Sequence, residues 1–420
     1  MPRCCIKRAD DHEADGAATA TAQQARADDQ FDGIAEGNGE VAASAMRIVF
    51  LANVDWFFQS HFIFLARRAK LNGWDVALAA HVDAAREALE AEGLELIALP
   101  TRRGVFAPAD YGSASAIVAR ELRRRPDTLL HGFGLFGIVV GSLAGRRAGL
   151  RRSVFTITGR GYSAAARSTP AHLIRGCSRV LCASVADGPS VRWLAENEED
   201  LKACGLSAAV RQSRAAVLGG AGIDPDDFTL SPMPRRGPVR LALVARMIWS
   251  KGVDLAVEAV QAVRAQGVNL TLTLAGPIDG DNPKALRGDQ MRAFEAGGGV
   301  RWVGQVHDIN ALWASHHAAV LPSRGGEGLP KSLIEAAACG RPIITTRVPG
   351  CRAFAGATGG WCVEPDSPSA LADALLDVCS RKNLDEMGRK ARQTVLSSYT
   401  HDYNWNIVEK FYDELGCSAG

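Results

Sequence analysis

Two pairs of charged residues have types and spacings that suit the binding of a phosphorylated ligand. Glu327 and Glu335 stand in RGGEGLPKSLIEAAACG, on either side of a Gly/Pro turn that opens a predicted helix. Arg246 and Lys251 stand in VARMIWSKGVD, directly after an apolar run that predicts a strand. Cations at the end of a parallel strand face the ligand cleft, where arginine holds phosphate oxygens bidentately and lysine adds a point charge. Ordinary surface cations beside a loop are the alternative for this second pair.

The turn between the two glutamates predicts an anion site at a helix N-terminus. Pro330 suits the first helical position because its missing N–H is not needed there, and the predicted helix runs on to Cys339. The first amides of this helix would point into the cleft, and we expect them to bind a phosphate. These amides belong to Lys331, Ser332 and Leu333.

The two carboxylates are expected to lie on opposite sides of this anion. Helical side chains lean toward the N-terminus, which carries Glu335 back beside the site, while Glu327 lies in the turn with Gly328 and Leu329. A carboxylate repels phosphate, so each would instead accept hydroxyl hydrogen bonds worth about 1.5–3 kcal/mol. Hydroxyls, phosphates and hydroxyls in that order describe a nucleotide sugar. Taken singly, each glutamate is also compatible with a turn residue or a solvated helix acid.

The elements that would position these residues alternate along the chain. From Met46, short apolar runs such as RIVFLA and RVLCAS alternate with helical patterns, which is typical of a parallel, doubly wound sheet. The pattern breaks at the proline-rich SPMPRRGP and then restarts. We therefore predict an α/β protein of two Rossmann-like domains facing across a cleft. Its predicted parts are a disordered tail (1–45), an N-terminal domain (46–230), a linker (231–238), a C-terminal nucleotide-sugar domain (239–400) and a final helix packing back on the N-terminal domain (401–420).

Composition supports a globular protein and excludes several classes. The 420 residues are 47% hydrophobic and 22% charged, with a formal charge of +2, which does not suggest a nucleic-acid binder. The ten cysteines form no C-x-x-C pair, so we expect reduced thiols. Without a recognisable signal peptide or membrane span, we expect a cytoplasmic protein, acting at the inner face of the cell membrane if its acceptor is lipid-linked.

An arginine-rich stretch predicts one basic face. Residues 101–160 contain eleven arginines against three acids. Such a face would suit an anionic membrane surface that carries a lipid-linked acceptor, and a simply solvated basic face is the alternative. The arginines concerned are Arg102, Arg103, Arg123, Arg124, Arg125, Arg146, Arg147, Arg151 and Arg152.

Three places in the N-terminal domain are expected to line the cleft. His61 follows the first strand, His131 ends the DTLLH strand, and Thr158, Gly159 and Arg160 stand in the TGRG turn. We assign His131 a catalytic role through a hydrogen bond to the sugar or the acceptor, with a satisfied strand-end histidine as the alternative. Arg160 would meet an acceptor phosphate, or else be plain surface charge.

The D-x-D pair formed by Asp279 and Asp281 does not predict a metal site. It lies in a Gly/Pro/Asn loop without a second group of ligands nearby. A nicotinamide dehydrogenase is also excluded, because LANVDWFFQSH lacks the G-x-G-x-x-G that should follow the first strand.

The ordered motifs resemble the family-4 retaining glycosyltransferases of the GT-B fold, in particular the bacterial subgroup that builds capsule, O-antigen and lipid-linked glycans. The resemblance covers about residues 46–415, and the motifs that carry it occur in the expected order. They are NVDWFFQSHF, RPDTLLHGF, TITGRGY, VARMIWSKGVD, VLPS and EGLPKSLIE followed by AAACGRPIITTRVPGCR. The RGGEG approach to the first glutamate is more glycine-rich than is usual in the subgroup.

The resemblance implies a role for each donor-site residue. Arg246 and Lys251 would bind the donor diphosphate with the amides of Ser332 and Leu333, and Glu335 would bind the ribose. Glu327, which we assign a catalytic role, would bind the transferred sugar, and Gly328 and Leu329 beside it are assigned to the donor site. The N-terminal domain would be the acceptor domain. It also implies metal-independent transfer, without a cofactor, of a hexose or N-acetylhexosamine from a UDP-linked donor to a glycan or polyprenyl-linked acceptor. A nucleotide-sugar epimerase or hydrolase, or an inactive nucleotide-sugar-binding protein, are the alternatives.

Overall fold

A computed structural model describes residues 46–101, 107–150, 152–161, 168–280 and 282–417 of the chain. The predicted tail (1–45) lies outside the described residues, as do Arg102, Arg103, Arg151 and Asp281. Within the described ranges, no helix combines the length and the apolar character that crossing a membrane would require.

The N-terminal lobe is built on a parallel sheet of seven strands. Their order across the sheet is β3-β2-β1-β4-β5-β6-β7, and each neighbouring pair is parallel. The strands are β1 (Arg47–Val54), β2 (Asp75–His81), β3 (Glu95–Ala98), β4 (Leu129–Phe133), β5 (Ser153–Ile157), β6 (Val191–Ala195) and β7 (Ala215–Val217). Residues of β4 and β5 are buried throughout because helices cover both faces of the sheet.

Helices of this lobe pack on the two faces of the sheet. They are α1 (Asp55–Leu71), α2 (Arg86–Ala91), α3 (Pro108–Arg124), α4 (Gly134–Ala148), α5 (Thr169–Val180), α6 (Glu198–Ala203) and α7 (Ser207–Arg211). Successive side chains of β1 alternate between the faces: Ile48 and Phe50 pack with α1, whereas Val49 and Leu51 pack with α3 and α4.

The prediction of a strand at RVLCAS is wrong. This segment covers the end of α5 and a single turn of π-helix (Leu181–Ala186), and the strand β6 begins only at Val191. An apolar run this short does not by itself distinguish a strand from a helix. The true strand, VRWLA, contains a charged residue, Arg192, which forms an ion pair with Glu414. This charge interrupts the apolar pattern by which a buried strand is recognised.

The C-terminal lobe repeats the design with six parallel strands. Their order is β10-β9-β8-β11-β12-β13. The strands are β8 (Val239–Val244), β9 (Leu270–Ala275), β10 (Val300–Trp302), β11 (Ala318–Leu321), β12 (Ile343–Thr346) and β13 (Trp361–Val363). The helices between them are α8 (Val253–Ala265), α9 (Gly288–Ala296), α10 (Ile309–Ala314), α11 (Lys331–Ala338) and α12 (Pro349–Thr358). Two doubly wound parallel sheets confirm the predicted fold class.

The chain ends in three helices, and the last of them packs on the other lobe. They are α13 (Pro368–Ser380), α14 (Leu384–Ser398) and α15 (His401–Glu414). Val395 of α14 belongs to the core of the C-terminal lobe. Trp405, Val408 and Tyr412 of α15 instead join the N-terminal core that contains α1. The C-terminal helices therefore tie the two lobes together.

Candidate active site

The charged residues of the C-terminal lobe converge at the switch point of its sheet. The chain leaves the neighbouring strands β8 and β11 in opposite directions, which opens a crevice beyond their carboxyl ends. Arg246 follows β8, Lys251 ends a short 3₁₀ turn (Trp249–Lys251), and Glu327 follows β11. The two loops touch at Gly252, whose φ is 68° and where an added Cβ would lie 2.0 Å from the Pro322 carbonyl oxygen.

Lys251 and Glu327 contact each other directly. Lys251 Nζ lies 2.5 Å from Glu327 Oε2, and the two side chains are only 15% and 14% exposed. Ser323 Oγ donates to the other carboxylate oxygen over 3.2 Å. The ammonium group has three donors, so it can hold Glu327 and still donate to a ligand in the crevice.

Arg246 forms an ion pair with Asp279, one of the two aspartates of the D-x-D sequence. The aspartate is buried, while the arginine side chain remains 38% exposed at the edge of the crevice. This bond fixes the guanidinium group beside the switch point. Within the described ranges, no three His, Cys, Asp or Glu side chains gather as a metal-binding group, and Asp281 lies outside those ranges.

Helix α11 presents its N-terminus to the same crevice, with one difference from the prediction. Pro330 is the N-cap residue rather than the first helical residue, and its carbonyl oxygen accepts the Leu333 N–H over 3.1 Å. The Leu333 amide, which was predicted to bind an anion, therefore already has a backbone partner in this structure. Lys331 and Ser332 supply the first-turn amides that a helix leaves without a partner inside it.

Glu335 lies one turn further along α11, mostly out of water. Its side chain is 16% exposed, and Lys331 Nζ lies 3.9 Å from its Oε1. Burial raises the pKa of the Glu335 carboxyl, and the nearby Lys331 charge partly opposes this. Lys331 also donates to the Ser60 carbonyl oxygen of α1 over 2.8 Å, so it bridges the two lobes at the mouth of the crevice.

His61 faces these cations from the N-terminal lobe. It lies within α1, which begins as soon as β1 ends, and its Nδ1 is 2.7 Å from Ser60 Oγ. Burial, together with the charges of Lys331 and Lys251, lowers the pKa of His61 to about 3. A neutral imidazole beside the crevice is the result.

His131 does not line the cleft, and its predicted catalytic role is wrong. The residue is completely buried in β4. Its Nδ1 lies 2.6 Å from the Tyr412 hydroxyl and its Nε2 lies 2.7 Å from Thr156 Oγ1. Burial lowers the pKa of the imidazole to about 3. The structure shows the alternative interpretation, a satisfied histidine, and here it connects α15 to the N-terminal sheet.

The TGRG turn closes the cleft from the N-terminal side. The Gly161 N–H donates to the Gly326 carbonyl oxygen over 2.8 Å. Gly159 has a φ of 92°, and an added Cβ would lie 2.5 Å from the Gly328 nitrogen. The contact between the lobes is thus made backbone to backbone, next to Glu327. Thr158 precedes these glycines in the same turn.

Arg160 is held inside its own lobe. Its Nε lies 2.6 Å from Asp200 Oδ1, and Asp200 is buried. Asn197 in turn donates to the other aspartate oxygen over 2.9 Å. The guanidinium group is therefore oriented along the N-terminal side of the cleft by two residues that the sequence interpretation had not considered.

Glu196 is the polar residue of this site that sequence analysis missed. It follows β6 and is 8% exposed, and its Oε2 accepts the Leu329 N–H over 2.7 Å from the other lobe. Burial raises its pKa to about 8, the Leu329 N–H opposes this rise, and the charges of Asp200 and Glu327 add to it. Because the sequence prediction placed a strand at RVLCAS and not at VRWLA, Glu196 was not recognised as a residue that directly follows a strand. The available signal was N-E-E-D, in which Asn197 caps the start of α6 by accepting the Asp200 N–H.

The structure is thus a two-lobed α/β protein, in which cations, a helix N-terminus and acidic side chains meet between the lobes. A family model described as glycosyl transferase 4-like matches residues 47–183, and one described as glycosyl transferases group 1 matches residues 238–381. The two matches fall on the two lobes. The chain belongs to the family-4-like glycosyltransferases, and its fold is GT-B.

Similar proteins place this family membership in context. The glycogen synthase of Mycobacterium tuberculosis is 30% identical over 231 residues, which are 51% of this chain and 53% of the relative. The N,N'-diacetylbacillosaminyl-diphospho-undecaprenol alpha-1,3-N-acetylgalactosaminyltransferase of Campylobacter jejuni is 27% identical over 175 residues, 41% of this chain and 43% of the relative. The chain spans about half the length of the curated relatives it matches.

The fold also matches solved structures over nearly the whole described chain. The Anabaena protein Alr3699/HepE, solved in complex with UDP-glucose, is similar with a TM-score of 0.69 and 16% identity, over 88% of this chain and 100% of that one. At this identity the likeness establishes the fold alone.

Proposed function

We propose that the chain is a retaining glycosyltransferase that uses a nucleoside diphosphate sugar, most simply a UDP-linked hexose or N-acetylhexosamine. The observation that carries this proposal is the convergence of Arg246, Lys251 and the α11 N-terminus at one switch point, with Glu327 and Glu335 beside them. This is the arrangement that a diphosphate flanked by two hydroxyl-bearing rings requires. The complex of the similar Anabaena protein with UDP-glucose supports the choice of donor.

Each residue would act on a different part of the donor. Arg246 and Lys251 would neutralise the diphosphate, together with the amides of Lys331 and Ser332. Glu335 would accept hydrogen bonds from the ribose hydroxyls, each contributing about 1.5–3 kcal/mol to binding. Glu327, held by Lys251 and by Ser323 at 3.2 Å, would accept hydrogen bonds from the sugar to be transferred.

The reaction then needs positioning and charge stabilisation. As the bond between the anomeric carbon and the phosphate oxygen breaks, negative charge grows on the diphosphate, where the cations and the helix N-terminus stabilise it. The acceptor oxygen forms the new bond on the face that the nucleotide leaves, so configuration is retained. Its proton passes to the departing phosphate oxygen. The contact between the TGRG turn and the turn at Gly326 would exclude water from this step.

We further propose that the acceptor is a glycan or a lipid-linked saccharide used in cell-surface polysaccharide synthesis. The Campylobacter relative carries diphospho-undecaprenol in its name, which supports a lipid-linked acceptor. Exposed arginines at Arg123, Arg124, Arg146 and Arg147 would suit the anionic membrane face from which such an acceptor is presented. An epimerase or hydrolase on the same scaffold would release free nucleotide or an altered sugar nucleotide without any acceptor.

Titration calorimetry with UDP tests the donor site. Lys251→Ala and Glu335→Gln should each weaken UDP binding by about 10-fold to 150-fold, the loss expected from one hydrogen bond to a charged group. Lys382→Ala, at an exposed position of the C-terminal lobe, is the matched control and should bind as the unmodified chain does. Unchanged affinity in both site variants would refute the donor-site assignment.

A second assay identifies the reaction. The protein is incubated with a panel of sugar nucleotides and with bacterial lipid extract, and the products are analysed by mass spectrometry. Transfer predicts an added sugar mass on an extract component and nucleotide release that depends on the extract. Fast nucleotide release without extract would instead favour hydrolysis.

A further inference from the structure

Glu196 makes a hydrogen bond that connects the N-terminal lobe to the turn carrying Glu327. Its carboxyl oxygen accepts the Leu329 N–H over 2.7 Å, and Leu329 lies two residues after Glu327. An added Cβ on Gly328 would lie only 1.9 Å from the same oxygen, so the carboxyl group touches the turn along two successive residues.

The surroundings of Glu196 show that this bond exists only when the lobes are together. The residue is 8% exposed, and Gly328 and Leu329 of the other lobe lie against its carboxyl group. It also lines a cavity of about 510 Å³ between the lobes, to which Pro349 and Arg352 contribute from the C-terminal side. Separating the lobes would break the bond to Leu329 and expose the carboxyl group to water.

The charged groups around Glu196 are mostly paired with one another. Asp200 is held by Arg160, and Glu327 is held by Lys251. Along the cavity, Glu199 is paired with Arg352 and Glu198 with Lys202. Among these described groups, the nearest acids therefore have their own cations, and Glu196 has a backbone N–H instead of a cation.

We propose that Glu196 is a positioning residue for the transfer reaction, which holds the Glu327 turn against the N-terminal lobe through the Leu329 N–H. This proposal rests on the proposed function. In the open protein the carboxyl group meets water and ionises at its ordinary pKa. In the closed protein it is buried beside two acids, so closure favours the neutral form, which still accepts the Leu329 N–H through its carbonyl oxygen.

The sign of the pH dependence follows from linkage. The pKa of the Glu196 carboxyl is raised from its ordinary 4.5 to about 8 in this closed arrangement, so closure from a water-exposed state would take up a proton between these values. Closure is therefore most favourable at low pH and weakens by up to about tenfold per pH unit as the pH rises toward 8. Above pH 8 the carboxyl group is ionised in both forms, so its protonation no longer favours closure and the closing equilibrium no longer changes with pH.

Hydrogen exchange at single amides tests the proposal on the full chain, with saturating UDP and without it. The protection factor of the Leu329 amide reports the bond to Glu196, and that of Gly161 reports contact between the lobes. In the unmodified chain both should fall at least tenfold between roughly pH 6 and pH 8. In Glu196→Gln, which keeps the accepting oxygen but cannot ionise, both should stay constant over this range.

Two further variants complete the test. Glu196→Ala should lose Leu329 protection at every pH, and Glu198→Gln, an exposed acid two residues along, should behave as the unmodified chain. Once a donor is found, Glu196→Ala should lower kcat more than it raises the donor KM, and Glu196→Gln should restore kcat and lose the decline on the alkaline side.

The outcomes separate this proposal from the proposed function. An identical pH dependence in the unmodified chain and Glu196→Gln, or full Leu329 protection in Glu196→Ala, would overturn the role of Glu196. Failure of UDP to bind the unmodified chain would count against the donor site and leave the exchange result interpretable. Far-ultraviolet circular dichroism shows whether each variant is folded. If Glu196→Ala does not fold, the comparison of Glu196→Gln with the unmodified chain decides the role of Glu196.

Discussion

Gly159→Ala is the sharpest test of the closed arrangement, because it adds one methyl group where the lobes meet. An added Cβ at Gly159 would lie 2.5 Å from the Gly328 nitrogen and 2.6 Å from the Gly326 carbonyl oxygen. Both atoms belong to the backbone of the turn that carries Glu327, in the opposite lobe, so neither can move aside as a flexible side chain would. The variant should therefore keep two folded lobes that no longer close fully.

The size of the effect can be worked out from two contributions. The φ of 92° at Gly159 adds backbone strain of about 1–2 kcal/mol for a residue with a Cβ, and this strain is present whether the lobes are open or closed. The clash acts only in the closed form, where overpacking typically costs about 1–3 kcal/mol. The closed population, and with it the turnover, should fall by about 5-fold to 150-fold.

The assay compares UDP affinity with turnover. UDP contacts proposed here lie on the C-terminal lobe, so calorimetry should show affinity within a few-fold of the unmodified chain, while turnover with the donor found in the screen falls. Gly176→Ala is the matched control, because this exposed glycine of α5 has no atom within 4 Å of an added Cβ. Unchanged turnover in Gly159→Ala would refute the inference that reaction requires the backbone contact between the turns.

Further predictions concern His131 and acid stability. His131→Ala should lower the thermal unfolding temperature, because it leaves the buried hydroxyls of Tyr412 and Thr156 without a partner at about 1–3 kcal/mol each, while turnover per folded molecule stays the same. A folded variant with lost turnover would restore the catalytic assignment. In the folded protein the pKa of His131 is lowered from 6.5 to about 3. As the pH falls, the unfolded chain therefore binds a proton at this histidine before the folded protein does. Stability should thus decrease from about pH 6.5 toward pH 3 by up to about 1.4 kcal/mol per pH unit, and denaturant titrations of His131→Phe should show a shallower decrease.

The C-terminal half of the candidate site was accessible from the sequence because its signals are local. Arg246, Lys251 and Glu327 each follow a strand by a few residues, and in a parallel sheet this spacing alone brings them to one edge. Glu335 lies on the helix that the turn opens, so helical geometry fixes its side. The difference at Pro330 is one of detail: whether this residue is the cap or the first helical residue depends on a backbone angle that the sequence does not specify.

The N-terminal half was less accessible because its decisive contacts are distant along the chain. His131 has the same local pattern as a cleft histidine, but Tyr412 reaches back from α15 to bond it, across 281 residues. Glu196 and Leu329 are 133 residues apart, and nothing in either segment indicates the other.

The sequence by itself determined the two doubly wound sheets and the set of charged residues at the second switch point, since these follow from periodicity and from spacing within single elements. The family was indicated by the ordered motifs that resemble it. Tertiary structure decided which polar groups are available to a ligand. Lys251 is bonded to Glu327, Arg160 is held by Asp200, and His131 is buried. Availability depends on burial and on partners supplied by remote segments, and these are properties of packing that local sequence does not encode.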